Sequence, residues 1–358
     1  MTIYTITPEH GFLATLPEDV LSDNLAHDIT RGLPSAIAKG AEATARFLHD
    51  VPPVDMTQPT PAEVEIKHML YGYLACAWVH GTGDTTIPAS IAQSLVWLGA
   101  KLERPPMLAY AGMVLCNWRQ KDSGTDFSPE NVELRLRFTE LIDETWFFRV
   151  HIAIEAQAGA MLTALSDARF AVATDNRQQV LSCLREMQAG LVKITQTFHR
   201  MPDLCDPDIY YQQVRPFLMG FGEQVVFAGV EHNPTPLRGG SGAQSSVVPA
   251  LLAGLGIQHQ STALTHNLND MRRYMPREHR AYIQSMVGHP LRDYCADYAP
   301  LRDAYNRVLQ HLITFRRAHL YYARTYIFEK STNPIGTGGT EYMGFLSKLI
   351  DETANQRL

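Results

Sequence analysis

His319 stands in the middle of a helical run, ITFRRAHLYYARTYIFEK, and Arg316 lies one turn before it. On a 3.6-residue period Leu312, Phe315, His319, Tyr322 and Tyr326 share one largely apolar face. A neutral imidazole aimed into an apolar site, with a guanidinium one turn away, suits a haem: imidazole to the iron, Arg to a propionate. The same pattern describes a satisfied core histidine on an amphipathic helix. Taken alone, the stretch favours that second reading.

Two more helical pairs carry usable chemistry. Phe147 and His151, in WFFRVHIAIEAQAG, are spaced i,i+4 and share a face that Glu155 continues by another turn. A Phe beside a His offers a stacking wall and one hydrogen-bonding group. In so apolar a run the imidazole is expected to be buried and to need a partner, for which a backbone carbonyl would serve. Tyr211 and Arg215, in IYYQQVRPFLMG, have the same spacing. A hydroxyl and a planar fork suit a carboxylate, although a Tyr–Arg pair by itself fits an ordinary surface Arg better.

Two glycine loops accompany these helices. GGSGAQSS, from Gly239, is either a flexible connection or a place where backbone approaches a flat ligand closely. It is neither GxGxxG after a strand nor a P-loop, which argues against a nucleotide. GTGGT, Gly336 to Thr340, supplies N–H donors and Thr hydroxyls for a carboxylate or an ammonium group, or is simply a turn.

The elements that must position these residues read as helices. Thr60-Pro61-Ala62-Glu63 is a capping box with Pro at N1, and opens a helix to about His80. Helical periods follow at Ile87–Leu102, Pro106–Trp118, Thr145–Leu165, Gln178–His199, Asp206–Met219, Gln244–Leu255, Leu264–Tyr274, Arg277–Val287, Leu301–Phe328 and Glu341–Thr353. Only Val132–Phe138 alternates like a strand. The predicted class is all-α. RQKDSGTDFSPEN, Arg119 to Asn131, is the best linker, dividing a small N-terminal helical domain (1–131) from a larger helical domain (132–358).

Composition narrows the function. The 358 residues are 45% hydrophobic and 19% charged, which is globular. A net charge of −6 gives no field for nucleic acid, and no apolar run would span a membrane. The first residues lack a basic and an apolar region, so no signal peptide is expected. Five scattered cysteines without CxxC spacing read as reduced thiols in a cytoplasm.

Together the segments LAYAGMVLCNW, WFFRVHIAIEA, YYQQVRPFLMG, GGSGAQSSVVPALLAGLGIQ, DMRRYMPREHR, FRRAHL and GTGGTEYMGFL, spanning Leu108 to Leu346, identify the chain as resembling the indoleamine 2,3-dioxygenase family. The resemblance implies haem b, with His319 as its iron ligand and Arg316 on the propionate side. It implies Phe147 over the distal pocket, Arg215 on the substrate carboxylate, Thr337 on the ammonium group and Ser241–Gly242 beside the haem edge. Tyr110 and Met113 would line the inner pocket from the small domain. His151 and Tyr211 depart from the mammalian pattern, which has Ser and Phe there, and are similar to the tryptophan 2,3-dioxygenase branch. Leu252 stands near where mammalian members have an Asp close to the haem-side Arg. The implied substrates are L-tryptophan, or a related indole amino acid, and O2, with N-formylkynurenine as product in tryptophan catabolism. The rivals are a secondary-metabolism haem enzyme acting on a modified tryptophan, and a haem or indole binder that senses or carries its ligand. Oligomeric state is left open.

Overall fold

The computed structural model describes residues 3–17, 24–55, 57–122, 124, 126–331 and 343–358. It is an all-α fold. In chain order the α-helices are α1 (Asn24–Ala38), α2 (Ala41–His49), α3 (Pro61–Cys76), α4 (Ala89–Leu102), α5 (Ile142–Gln157), α6 (Gly159–Ala173) and α7 (Arg177–Phe198). They continue with α8 (Pro207–Ile209), α9 (Val247–Gly254), α10 (Ala263–Met271), α11 (Arg277–Met286), α12 (Leu291–Ala296), α13 (Ala299–Tyr326) and α14 (Met343–Ala354).

The capping box forms as the sequence requires. Thr60 accepts from the Glu63 N–H, and Glu63 reaches back to the Thr60 N–H at 2.7 Å. In α3 nearly every residue after Glu63 is buried, which explains why apolar residues cover most of its surface. The α7 helix lies at the centre of the larger part, packed on α5, α6 and α13, and α14 closes against α13.

The predicted helix over Thr145–Leu165 is two helices, and a segment distant in sequence lies at the break. Residues 7–11 cross the α5–α6 junction. A Cβ on Gly159 would come within 2.5 Å of the Thr7 and Pro8 carbonyl oxygens, and Gly11, at φ +56°, approaches the Glu155 carbonyl just as closely. The predicted Pro106–Trp118 helix is shorter than expected: its core is a π turn, Ala111–Leu115. The alternating stretch forms only a two-residue strand. Among the described residues the strands are β1 (Thr86–Ile87), parallel to β4 (Val226–Phe227), and β2 (Arg119–Gln120), antiparallel to β3 (Val132–Glu133) with Arg119 opposite Glu133. Beyond β3 the chain is held by a side chain instead of a ladder: Asn117 bonds both the N–H and the carbonyl of Leu136.

Burial stores a pH dependence. Desolvation, then nearby Arg104, pushes His68 and His279 down to about 3, whereas burial raises Glu144 and Glu155 to about 7. An imidazole with a depressed folded pKa contributes stability present above pH 6.5 and lost as pH falls toward 3. A carboxyl with a raised pKa opposes this loss only down to about 4.5. Between about pH 6.5 and 4.5 the two pairs offset, and stability of the haem-free protein should fall below about pH 4.5, at up to about 1.4 kcal/mol per pH unit for each histidine. Urea unfolding at a series of pH values measures this, and a flat profile from pH 4.5 to 3 contradicts it.

Candidate functional site

The site assembles where α5, α13, the α7 C-terminus, the 239–245 loop and two π turns meet. It is a hollow with two lobes. The smaller, about 810 Å³, is walled by Phe147, Phe148, Tyr210, Met113 and Tyr326. The larger, about 1690 Å³, reaches Arg316, His259, Leu252 and Leu349. His151, His319, Tyr110, Phe198 and Ser241–Gly242 line both, so the lobes are continuous.

His319 is brought to the hollow by α13, whose buried stripe includes Leu312, Arg316 and Tyr322. The Phe198 ring lies nearly parallel to the His319 ring, centres 6.2 Å apart. Burial, with His151 and Arg316 nearby, lowers the His319 pKa to about 4, so its imidazole is neutral at pH 7. No protein hydrogen bond holds either of its ring nitrogens among the described residues. A neutral, unengaged imidazole of this kind can bind an iron.

Arg316 is buried. One guanidinium nitrogen donates to the Leu349 carbonyl at 2.6 Å and to the Thr353 hydroxyl; the other meets His259 Nε2 at 3.1 Å. His259 Nδ1 in turn meets Glu352 at 2.7 Å. Leu252 lines the lobe where a direct carboxylate partner was expected to be absent. The anion nearest Arg316 is thus one ring away. Burial lowers the Arg316 pKa to about 10, with Glu352 opposing, and the group stays a cation. His259 and Glu352 carried no signal in the sequence, because fixed helical spacing relates neither of them to Arg316.

On α5, Phe147 and His151 meet as their spacing predicts, ring centres 4.5 Å apart. His151 Nδ1 lies 2.8 Å from the Phe147 carbonyl. A carbonyl only accepts, so Nδ1 carries the proton and Nε2 keeps a lone pair. Burial lowers this pKa too, against that bond, so the lone pair persists at neutral pH.

The 239–245 loop depends on its glycines. A Cβ on Gly240 would lie 1.6 Å from the Met113 methyl, whereas one on Gly242 would meet nothing within 4 Å. The loop therefore packs tightly on Met113 and leaves space at Gly242, beside the hollow. Ser241 caps the short 3-10 turn that follows, accepting from the Ala243 N–H.

Tyr211 and Arg215 sit together, the guanidinium 5.2 Å from the Tyr211 ring centre, and Arg215 is buried. Neither is among the residues lining the two lobes. Tyr210, which the helical spacing did not single out, is: it stacks on Phe147 at 4.5 Å and 29°. The cause is a π turn over Tyr210–Val214, in which the Arg215 N–H bonds the Tyr210 carbonyl. The wider turn alters which side chains share a face. A second π turn, Ala111–Leu115, supplies Met113 and Val114 to the same lobe. Such turns often mark functional sites. Thr337 and the rest of the GTGGT segment lie outside the described residues.

A hollow of this size, with an unengaged imidazole from the longest described helix at its centre and a cation at one end, is built as a haem protein's site. The donor set fits the group, because an unengaged neutral imidazole and a cationic fork are available and the walls are largely apolar. Comparison with known proteins narrows the class. The family model for indoleamine 2,3-dioxygenase matches residues 1–356. Indoleamine 2,3-dioxygenase 1 of Rattus norvegicus is 29% identical over 98% of this chain and 94% of its own. Indoleamine 2,3-dioxygenase of Saccharomyces cerevisiae is 27% identical over 98% and 92%. A myoglobin of Haliotis madaka is 25% identical over 98% and 97%. The chain belongs to the indoleamine 2,3-dioxygenase family. It is a haem-iron enzyme of the dioxygenase type, acting on indoles with O2. No described helix is long and apolar enough to cross a membrane.

Proposed function

We propose that this enzyme inserts both atoms of O2 across the indole C2–C3 bond of L-tryptophan, giving N-formylkynurenine. The observation that carries the reading is the juxtaposition in one hollow of His319, free to hold iron, with an aromatic wall and a hydrogen-bond acceptor. Haem iron, when bound, supplies the activation of O2. The chain's own residues bind and orient. His319 takes the iron and Arg316 the propionate side. Phe147 and Tyr210 form the face on which an indole rests, with Tyr110, Met113 and Ser241–Gly242 closing the pocket. The His151 lone pair accepts the indole N–H. Arg215, with Tyr211 beneath it, holds the carboxylate, and Thr337 the ammonium group. Placement in a dry pocket is the main catalytic device. The division near residue 131, with the N-terminal part lending Tyr110 and Met113, belongs to the same proposal, as does a place in tryptophan catabolism.

The test is simple. Reduced haem protein mixed with L-tryptophan in air should accumulate the absorbance of formylkynurenine. The Haliotis relative's name gives weight to a second reading, O2 binding without turnover. A stable oxygenated spectrum with no product would favour it, and turnover only of a substituted tryptophan would favour a secondary-metabolism substrate.

His151 is the most distinctive position, and its expected effect is moderate. One net hydrogen bond contributes about 0.5–1.5 kcal/mol, so His151→Ser should stay folded, keep haem and lose about tenfold in kcat/KM for tryptophan. It should handle 1-methyltryptophan relatively better than the parent, because that substrate has no N–H and needs room. An unchanged ratio of kcat/KM for the two substrates would show that His151 does not read the indole nitrogen.

A further inference from the structure

Glu155 has no part in the chemistry above, yet its fully buried carboxyl stands beside the hollow, one turn after His151. Its Oε1 accepts hydrogen bonds from the Tyr110 hydroxyl at 2.9 Å and the Ser245 hydroxyl at 2.5 Å. Its Oε2 is buried with no partner among the described residues. These three residues come from three places: α5, the start of the Ala111–Leu115 π turn, and the end of the glycine loop. Tyr110 and Ser245 both line the larger lobe. Gln244 adds a second latch: its Oε1 accepts the Tyr110 N–H at 2.9 Å, while its Nε2 donates to the Gly239 carbonyl at 3.0 Å. Tyr110 is therefore fixed at its backbone and its hydroxyl, and its ring is nearly perpendicular to that of His151, centres 6.2 Å apart.

A purely structural buried carboxyl looks different in this fold. Glu144 takes the backbone N–H groups of Phe138 and Thr139 and closes a turn. Glu155 takes no backbone group; among the described residues its partners are two hydroxyls on residues of the hollow. A buried carboxyl held this sparsely is costly, and an apolar side chain would serve the fold as well.

We propose that Glu155 is a positioning residue. Acting through Tyr110 and Ser245, it holds the Tyr110 ring and the 241–245 loop at a fixed distance from His151, and so sets how tightly the indole is held. This rests on the tryptophan reading above. The test uses haem-loaded Glu155→Ala, Glu155→Gln, Tyr110→Phe and the Glu155→Ala/Tyr110→Phe double variant. Glu155→Ala should raise KM for L-tryptophan about tenfold with kcat little changed and haem content normal. Glu155→Gln, whose amide oxygen still accepts both bonds, should recover to within about threefold. The double variant should be no worse than Glu155→Ala, because the two act through one bond. Cyanide association with the ferric protein reads the same geometry without tryptophan, and should change in Glu155→Ala but not in Glu155→Gln. If the parent makes no formylkynurenine, the tryptophan reading fails while the cyanide comparison still decides on Glu155. Unchanged KM and cyanide rates in Glu155→Ala, additive losses in the double variant, or a Gln variant as impaired as the Ala variant would each overturn the proposal.

Discussion

His319→Ala should purify largely free of haem, or with haem whose iron lacks a strong axial nitrogen. The expectation follows from how alone His319 stands. It is an imidazole lining both lobes of the hollow, held neutral by burial, with no hydrogen bond to the protein among the described residues. The other histidines nearby are engaged. His151 Nδ1 is committed to the Phe147 carbonyl, His199 Nδ1 lies 3.2 Å from the Tyr322 hydroxyl, and His259 bridges Arg316 and Glu352. Only His259, engaged at both ring nitrogens, would have to break a bond to replace His319; His151 and His199 keep Nε2, so the variant's axial-ligand spectrum is read together with its haem content. The measurement is the haem-to-protein ratio and the absorption spectrum after loading with haem. Exogenous imidazole should restore part of the lost ligation, because the alanine leaves space. A normal ratio with an unchanged histidine-ligand spectrum would remove His319 from the role.

The difference between what was legible in the sequence and what was not has a physical pattern. The α3 capping box was legible because both halves of the box lie within four residues. The α13 stripe and the Phe147–His151 pair were legible because an α-helix converts fixed spacing into a shared face. Spacing failed where the helix was not an α-helix. Tyr210 faces the hollow because of a π turn, and no residue type in YYQQV announces one. It failed again at the α5–α6 junction, which is set by residues 7–11 from the other end of the chain. The contacts that complete the site are also distant in sequence. Ser245 to Glu155 and His259 to Arg316 join segments that no local rule relates. The glycine loop was legible as a close approach, but that it packs on the Met113 methyl was not. The haem and the dioxygenase class were legible only through the combination of motifs, since each motif alone also described an ordinary core.

The second large effect is expected at Arg215. Arg215→Ala should keep its haem and lose most activity on L-tryptophan. The guanidinium is buried, lies over the Tyr211 ring, and follows the π turn that delivers Tyr210 to the wall of the hollow. A fork in that setting suits a carboxylate arriving with an indole against Phe147 and Tyr210. Removing one member of a buried Arg–carboxylate pair typically costs about 3–5 kcal/mol, which corresponds to roughly two to four decades in kcat/KM. The size of the loss does not by itself prove the role, because a buried Arg also packs. Tryptamine separates the two. It keeps the indole and the ammonium group but lacks the carboxylate, so it should be a poor substrate for the parent and be affected far less by Arg215→Ala. Arg215→Lys should recover little, since a point charge cannot reproduce the planar fork. Equal losses on tryptophan and tryptamine would mean that Arg215 supports the π turn and the Tyr210 wall, and the carboxylate would then have to be held elsewhere.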